Sequence, residues 1–423
     1  MKTTEKNILP RKRLISLDII RGIAVLGILM VNIAGFALPF AALSNPTIAG
    51  VDSPADYYAW YFTDLLITNN MRGLFSMLFG ASIILLTQKI EQQQNAPAAR
   101  SYFFRRNSFL LLFGLIHSYI LLMAGDVLFP YAVAGFGLYF LRNLKASALI
   151  AIALLIIALQ TALSHYGYYE LTAIHDAAAS GGERAEQWQA IIGSLGTSQA
   201  EITEEINAMK GSYLNNLITI APFVLFLQTY YLLTEFIWDV GSMMLLGMAF
   251  YKMGIIQGAK SRIFYILLAI TGLAIGIMIN HTNLLYLDSQ NFDFLSQQKT
   301  QNTLRLGRVA LTLGILGLLS LFIATPVLHW FKGGLAAVGR MALSNYLMQT
   351  VICIFIFYGF GFNLYNELGR ASLLLVMVMI WTFQFFFSII WLQYFQYGPV
   401  EWLWRSLTLR KKIALKIRYQ SQS

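Results

Sequence analysis

The sequence has a single cysteine, Cys353, and it lies inside an apolar stretch. An intrachain disulfide and a cysteine-rich metal site are excluded. Charge is also scarce: 12% of the 423 residues are Asp, Glu, Lys or Arg, against roughly 25% in soluble domains. None of the five histidines stands at ligand spacing from a second histidine or cysteine, so no metal site is expected. The chain contains no Walker-type phosphate loop, no GxSxG elbow and no HExxH helix. ATP-driven transport and the familiar hydrolase classes therefore lack support. No long polar run, internal repeat or low-complexity linker marks a second domain, and residues 1–423 read as a single integral membrane domain.

What is abundant is apolar sequence, 57% of the chain. It falls in runs at about 14–40, 70–87, 107–124, 127–141, 147–164, 236–251, 263–280, 304–323, 341–358 and 371–393. These predict an all-α polytopic membrane protein of about ten transmembrane helices. The basic start MKTTEKNILPRKR precedes an apolar run too long for a signal-peptide core, with no small-residue cleavage site, so the run is read as the first span. Basic residues gather at Lys2 to Arg13, Lys89 to Arg106, Arg142 to Lys145, Lys252 to Arg262, Lys332 to Arg340 and Arg405 to Arg418. Such placement puts both termini in the cytoplasm and requires an even number of crossings. It also accounts for the net charge of +10 without nucleic-acid binding. A further apolar segment, 213–234, would reverse that parity if it crossed, and is expected as an interfacial or half-crossing helix. The loop 165–212 is acidic, hence extracytoplasmic, and is expected to be helical from about 183 to 210, either capping a cavity or serving as a solvated connector. The basic tail 405–423 ends in RKKIALKIRYQSQS, whose spacing suits a short helix lying on anionic membrane lipid.

Polar residues inside these runs are the candidates for function, because a charge near the bilayer centre costs about 3 kcal/mol and so faces protein or a watery cavity. In an α-helix, positions eleven apart share a face about 16.5 Å apart. Arg21 and Asn32 have this spacing, as do Arg106 and His117. If the two stripes face each other they form a polar shaft across the membrane. Asp18 precedes Arg21 by three residues and can pair with it, an arrangement that local charge neutralisation would also explain. His117 is the one histidine well inside an apolar run, placed for general-base chemistry or equally for packing. Asp126 follows nine residues later, half a turn out of phase and about 13 Å along a continuous helix. Only a chain turn, for which Gly125 offers a break, would return it to the imidazole. Arg72, beside an acidic outer loop, is a further candidate within a run of small residues that favours close helix packing, Gly73 to Ser82. In GRMALSNYLMQT, Arg340 and Ser344 are four apart, as are Asn345 and Gln349, which gives a second polar stripe. Glu235 and Asp239 form a paired-carboxylate spacing suited to a proton or cation.

The blocks LDIIRGIAVLGILMVNI, LFSMLFGAS, GLIHSYILLMAGDVLFPYAVAG, GSMMLLGMAFYKMGI, GRMALSNYLMQT and GPVEWLWRSLT together resemble the YeiB-like family of bacterial inner-membrane proteins. The first span is more distantly similar to the transmembrane acyltransferases, both the acyltransferase-3 proteins and heparan-α-glucosaminide N-acetyltransferase. That resemblance implies passage of an acyl group from cytoplasmic acyl-CoA, as co-substrate, to a glycan or lipid-linked acceptor on the other side, with no tightly bound cofactor. The acyltransferase-3 pattern in this helix is arginine, ten residues, histidine; here it is Arg21, ten residues, Asn32. Acyl transfer would then require His117 to act as base, with Asp126 orienting it and Asn32 polarising the thioester carbonyl. Arg105, Arg106 and Arg340 would hold the CoA phosphates, and Arg21 would line the shaft. The alternative is a secondary transporter or exporter of a small anionic metabolite using the same arginines, with Glu235, Asp239 or His117 carrying protons. A scaffold without catalysis is the third reading. The oligomeric state stays open.

Overall fold

The computed structural model describes residues 15–417 apart from Asn69, Ser180, Gly196 and Thr197. Among these residues the regular structure is helical, with one short 3-10 helix (Phe40–Leu43), one π-helical turn and a single isolated backbone bridge between Phe395 and Lys416. The protein is an all-α, multi-pass membrane protein. Seven helices are long and apolar enough to cross a membrane, or up to eight if a pair bent by 81° at Met341 makes one span.

Each of the ten apolar runs lies on a helix. They are α1 (Ile15–Ala37), α3 (Asn70–Gln93), α4 (Ala96–Tyr119), α5 (Leu128–Leu141), α6 (Ala146–Ala178), α10 (Ile237–Lys252), α11 (Arg262–Ser289), α12 (Phe294–Ala324), α14 (Ala342–Phe357) and α15 (Arg370–Tyr394). Shorter helices complete the set: α2 (Pro54–Leu66), α7 (Glu183–Leu195), α8 (Gln199–Met209), α9 (Tyr213–Gln228), α13 (His329–Arg340) and α16 (Pro399–Leu409). The end of the bundle where α1 starts is called proximal below, and the end where it finishes distal.

The helix α1 is the axis. It is buried along most of its length and packs on α3, α13, α14 and α15. Its approach to α13 is backbone to backbone, since a Cβ on Gly22 would lie 2.1 Å from the Leu335 carbonyl oxygen and one on Gly339 only 1.8 Å from that of Asp18. The small residues thus bring Arg21 and Arg340 to the same region. On the periphery, α6 exposes Leu154, Leu155 and Leu159, and α11 exposes Ile263, Leu267 and Ile270. Such faces are stable against hydrocarbon and unstable against water.

Three expectations meet a different outcome. The segment 213–234, which holds α9, runs on into α10: the chain is helical from Tyr213 to Lys252 apart from a turn at Thr229 and a π-helical turn at Leu232–Phe236, and the stretch makes one candidate span of 40 residues by length and composition. Tyr213 Oη donates to the Ile120 carbonyl (3.0 Å) and Gln228 Nε2 to Ser118 Oγ (3.0 Å), which lays α9 against the distal end of α4. The helix expected over 107–124 stops at Tyr119. The tail helix is absent as far as Ile417: α16 ends at Arg410 in the left-handed region (φ 53°), and the chain then pairs in extended form, Gln396 N donating to Leu415 O at 2.9 Å. Residues 418–423, like the basic start 1–14, lie outside the described residues.

The loop 165–212 is helical as expected, in α7 and α8, with α6 running on to Ala178. A reciprocal Ser198–Glu201 capping box starts α8. Its other end docks on the distal surface, where Glu205 accepts from Phe40 N (3.0 Å) and Tyr365 Oη (2.7 Å), and Lys210 pairs with Glu367.

Candidate functional site

Two cavities lie within the bundle, one lined from its proximal and one from its distal part. The proximal one, of about 210 Å³, is lined by Arg21, Arg106 and Arg340, by Glu401 and Trp404 of α16, and by an apolar wall that includes Phe75, Leu78, Phe79 and Leu128. Arg21 and Arg106 therefore face one chamber. Arg21 is held by Asp18 (3.2 Å) and by Ser82 Oγ (3.4 Å). The Arg106 guanidinium lies 3.4 Å over the Trp404 ring, and the indole Nε1 of Trp404 donates back to the Arg106 carbonyl at 2.8 Å. Arg340 donates to the Gln396 carbonyl at 3.4 Å. The Glu401 carboxylate accepts from the backbone N–H groups of Leu343 (2.7 Å) and Ser344 (3.1 Å) and from the Ser344 hydroxyl, so it is committed to the start of α14. Burial pushes this carboxyl above the usual carboxylate range, and the same hydrogen bonds pull it back. The chamber is thus cationic at the arginines and apolar beyond them.

The distal cavity, of about 270 Å³, is lined by Asn32, Arg72 and Asp126 together with Gln228, Tyr231 and Phe236. None of the described residues of the loop 165–212 is among its lining; α9 and the following turn close it instead. Arg72 donates to Asp239 Oδ2 at 2.8 Å, with its guanidinium 4.7 Å over Phe236. Arg308 holds the same carboxylate at 3.3 Å, and Arg305 holds Glu235 at 2.7 Å. The expected carboxylate pair is therefore clamped by arginines from α3 and α12.

Between the cavities stands a partition, in place of the continuous polar shaft. Tyr346 lines the proximal chamber, and its ring centroid lies 4.8 Å from that of His117, edge-on. Its hydroxyl accepts from Val127 N at 3.4 Å. Tyr131 completes the partition, its hydroxyl 2.6 Å from Ser76 Oγ and donating to the Arg72 carbonyl at 3.0 Å. The imidazole of His117 is wholly buried and lines neither cavity. Its Nδ1 lies 2.6 Å from Asp126 Oδ1 and its Nε2 lies 2.7 Å from Thr350 Oγ1.

The acid–histidine dyad forms because α4 ends early. The chain turns through 120–127, with Leu122 rather than Gly125 in the left-handed region (φ 56°). Asp126 then accepts the Phe129 N–H at 2.8 Å, capping the start of α5, while its other oxygen faces His117.

Four expected ligand-binding residues lie elsewhere. Asp18 lines neither cavity and pairs with Arg21 at 3.2 Å. Arg105 does not line the proximal cavity, since helical geometry turns it about 100° from Arg106. Asn345 donates to Val338 O (3.1 Å) and Ser388 Oγ (3.0 Å), and Gln349 to Val25 O (3.2 Å) and Gln384 Oε1 (3.0 Å). Their amides tie α14 to α1, α13 and α15, a packing role. Conversely, sequence reasoning passes over Arg305, Arg308, Glu401, Trp404, Tyr346 and Thr350. Arg305 and Arg308, three apart where an apolar run begins, carried a signal. Thr350 carried none. Among the described residues no group of three or more His, Cys, Asp or Glu is placed to hold a metal.

The order of these blocks finds close counterparts. The YeiB protein of Escherichia coli strain K12 is 31% identical over 411 residues, covering 94% of this chain and 97% of that one. The chain belongs to the YeiB-like family. The YxaH protein of Bacillus subtilis strain 168 is 30% identical over 417 residues, 95% of each chain. A 39.9 kDa protein encoded in the amylase 3′ region of Bacillus acidopullulyticus is 24% identical over 420 residues, 97% of this chain and 98% of its own. The family described as "Protein of unknown function (DUF418)" matches residues 250–411, from the end of α10 to just beyond α16. No solved structure matches the chain.

Proposed function

We propose that this YeiB-like protein passes an acyl group from a cytoplasmic acyl thioester to an acceptor on the opposite face of the bacterial inner membrane. The proximal end is the cytoplasmic one on this reading, because the basic clusters gather there and both termini follow. One observation carries the proposal: Arg21, Arg106 and Arg340 converge on a chamber whose end wall, Tyr346, touches the His117–Asp126 dyad, and Asp126 borders the cavity opposite. The arginines suit the phosphates of acyl-CoA through charge-assisted hydrogen bonds. The apolar wall suits the pantetheine and acyl chain. A histidine oriented by a carboxylate supplies proton transfer to a hydroxyl or amine acceptor, such as a glycan or a lipid-linked sugar. Asn32 lies with Gln228 in the distal cavity and not in the thioester's chamber, so on this reading its amide serves the acceptor side and not the thioester carbonyl. The exposed apolar faces meet membrane lipid.

Titration of the purified protein with acyl-CoA by native mass spectrometry tests this. Saturable binding that survives moderate salt, and is lost in a folded Arg106→Ala variant, supports it. Absence of binding at high micromolar acyl-CoA overturns it.

A second reading is favoured by the partition itself. The two cavities share no lining residue, and a secondary transporter of a small anion also needs a site closed from one side. It predicts that liposomes containing the protein accumulate an unmodified anion and that no thioester is consumed.

A further inference from the structure

A threonine in a helix ordinarily bonds its hydroxyl back to the carbonyl one turn earlier, as Thr87, Thr161 and Thr312 do here. Among the described hydrogen bonds Thr350 has no such bond; its Oγ1 lies 2.7 Å from His117 Nε2 instead. Which of the two atoms donates is set by the imidazole tautomer, and the far side of the ring favours one. Asp126 accepts at both carboxylate oxygens, from Phe129 N–H (2.8 Å) and from His117 Nδ1 (2.6 Å). A neutral imidazole that donates from Nδ1 has only a lone pair at Nε2. With the imidazole in that neutral tautomer Thr350 is the donor, its proton aimed at a base. Carboxylate, imidazole and hydroxyl stand in the order and polarity that activate a nucleophilic oxygen.

The cavities supply an independent argument. Donor and acceptor chambers share no lining residue, so the two substrates occupy separate cavities on either side of the His117–Asp126 dyad. A residue between them that carries the group in turn removes the need for the two to meet. Tyr346, one helical turn before Thr350, lines the proximal chamber and its ring lies against that of His117, which puts the imidazole that meets Thr350 one side chain away from the donor side. Asp126 borders the acceptor side.

We propose that Thr350 is the nucleophile of a two-stage transfer and holds the acyl group as an ester between the stages; the proposal rests on the acyl-transfer reading above. In the first stage Thr350 Oγ1 bonds to the thioester carbonyl carbon while its proton passes to His117 Nε2. The tetrahedral adduct collapses with cleavage of the C–S bond, and the departing thiolate takes the proton from Nε2 and leaves as the CoA thiol. In the second stage the acceptor hydroxyl or amine gives its proton to Nε2 and bonds to the same carbon. The C–Oγ1 bond then breaks, and the proton returns to Thr350.

The test is to incubate the full-length protein in detergent with acetyl-CoA and no acceptor. Released thiol is followed, the intact mass is measured, and the modified peptide is mapped. The expected result is a burst of about one thiol per protein and one acetyl group on the peptide holding Thr350. Thr350→Ser should keep the adduct; Thr350→Val, nearly isosteric, should lose it while still binding acetyl-CoA in the arginine chamber. If acetyl-CoA is bound and consumed but no acetyl group maps to Thr350, the nucleophile assignment falls and acyl transfer stands. If acetyl-CoA is neither bound nor consumed, both fall together. Mapping on the unaltered protein decides the matter even where a variant does not fold.

Discussion

His117 Nδ1 and Asp126 Oδ1 stand 2.6 Å apart although nine residues separate them and α4 ends between them. The contact is possible because Gly114, three residues before the histidine, leaves room for the returning chain. A Cβ at that position would lie 2.5 Å from Phe129 N and 2.9 Å from Asp126 Oδ2. Without it the start of α5 seats directly on α4, and the carboxylate that caps α5 is the one that meets the imidazole.

Gly114→Ala should therefore displace Asp126 from His117. The expected cost is about 1–3 kcal/mol, the range for forcing a methyl group into a packed interior, read as a lower Tm in detergent. Any acyl-CoA turnover should fall with it. Gly137→Ala on α5 is the control, because a Cβ there meets nothing within 4 Å. It should be neutral or slightly stabilising. Equal destabilisation by both substitutions would contradict the close-approach argument.

The ion-pair layer beside the distal cavity makes a different demand. Asp239 neutralises both Arg72 (2.8 Å) and Arg308 (3.3 Å), so Asp239→Asn leaves two partly buried guanidinium groups facing each other. Loss of one partner of a buried pair costs about 3–5 kcal/mol. Glu235 meets Arg305 with its side chain 39% exposed, and water there replaces much of what Glu235→Gln removes. Thermal unfolding of the two variants should rank Asp239→Asn well below Glu235→Gln; the reverse order would mean that the layer is not held at Asp239.

How much of this was legible in the sequence depends on range. Apolar runs announce helices because every backbone polar group in hydrocarbon must be satisfied within its own segment, and all ten runs lie on helices. Helix ends beyond the apolar core carry no such constraint, so the extension of α6 to Ala178 and the joining of α9 to α10 were hidden. The eleven-residue spacings put Arg21 and Arg106 on polar helix faces, but that both line one chamber depends on how α1 and α4 pack and was not legible. The partition was hidden because it is made by Tyr346 and Tyr131, which read as ordinary aromatic residues, and by Thr350, which reads like any back-bonding threonine. Partners such as Arg308 and Asp239 lie 69 residues apart, a separation at which spacing rules say nothing. The tail was misread because its amphipathic spacing favours a helix, while the backbone at Tyr394 and Gln396 offers an edge to pair with.

The arginine chamber should show itself in salt and charge. Arg106→Ala should weaken binding of acyl-CoA, or of inorganic phosphate used as a probe, by roughly tenfold or more, since a charge-assisted hydrogen bond is worth about 1.5–3 kcal/mol. Arg105→Ala removes the same charge one residue away, outside the lining, and should change binding by far less. Matching losses would indicate that the basic patch acts as a diffuse field and not as a built site. The measurement is a titration followed by intrinsic tryptophan fluorescence, because Trp404 lies under the Arg106 guanidinium.

The docking of α8 should respond to pH. Burial raises the Glu205 carboxyl above its ordinary range, while the Tyr365 hydroxyl and Phe40 N–H partly offset that shift. For an acid whose folded value is raised, the folded state favours the protonated form. The associated stabilisation is fully present below the unfolded value, about 4.3 for a glutamic acid, and is lost as pH rises through the folded value. Acidification from pH 8 towards pH 5 should therefore tighten α8 on the distal surface, slowing hydrogen exchange at Gly359, whose N–H donates to the Met209 carbonyl across that contact at 2.9 Å. Glu205→Gln keeps an acceptor for both donors and never ionises. It should hold α8 in place at both pH values and flatten the profile. Faster exchange at pH 5 than at pH 8, after correction for the intrinsic rate, would show instead that the ionised carboxylate is what holds the helix.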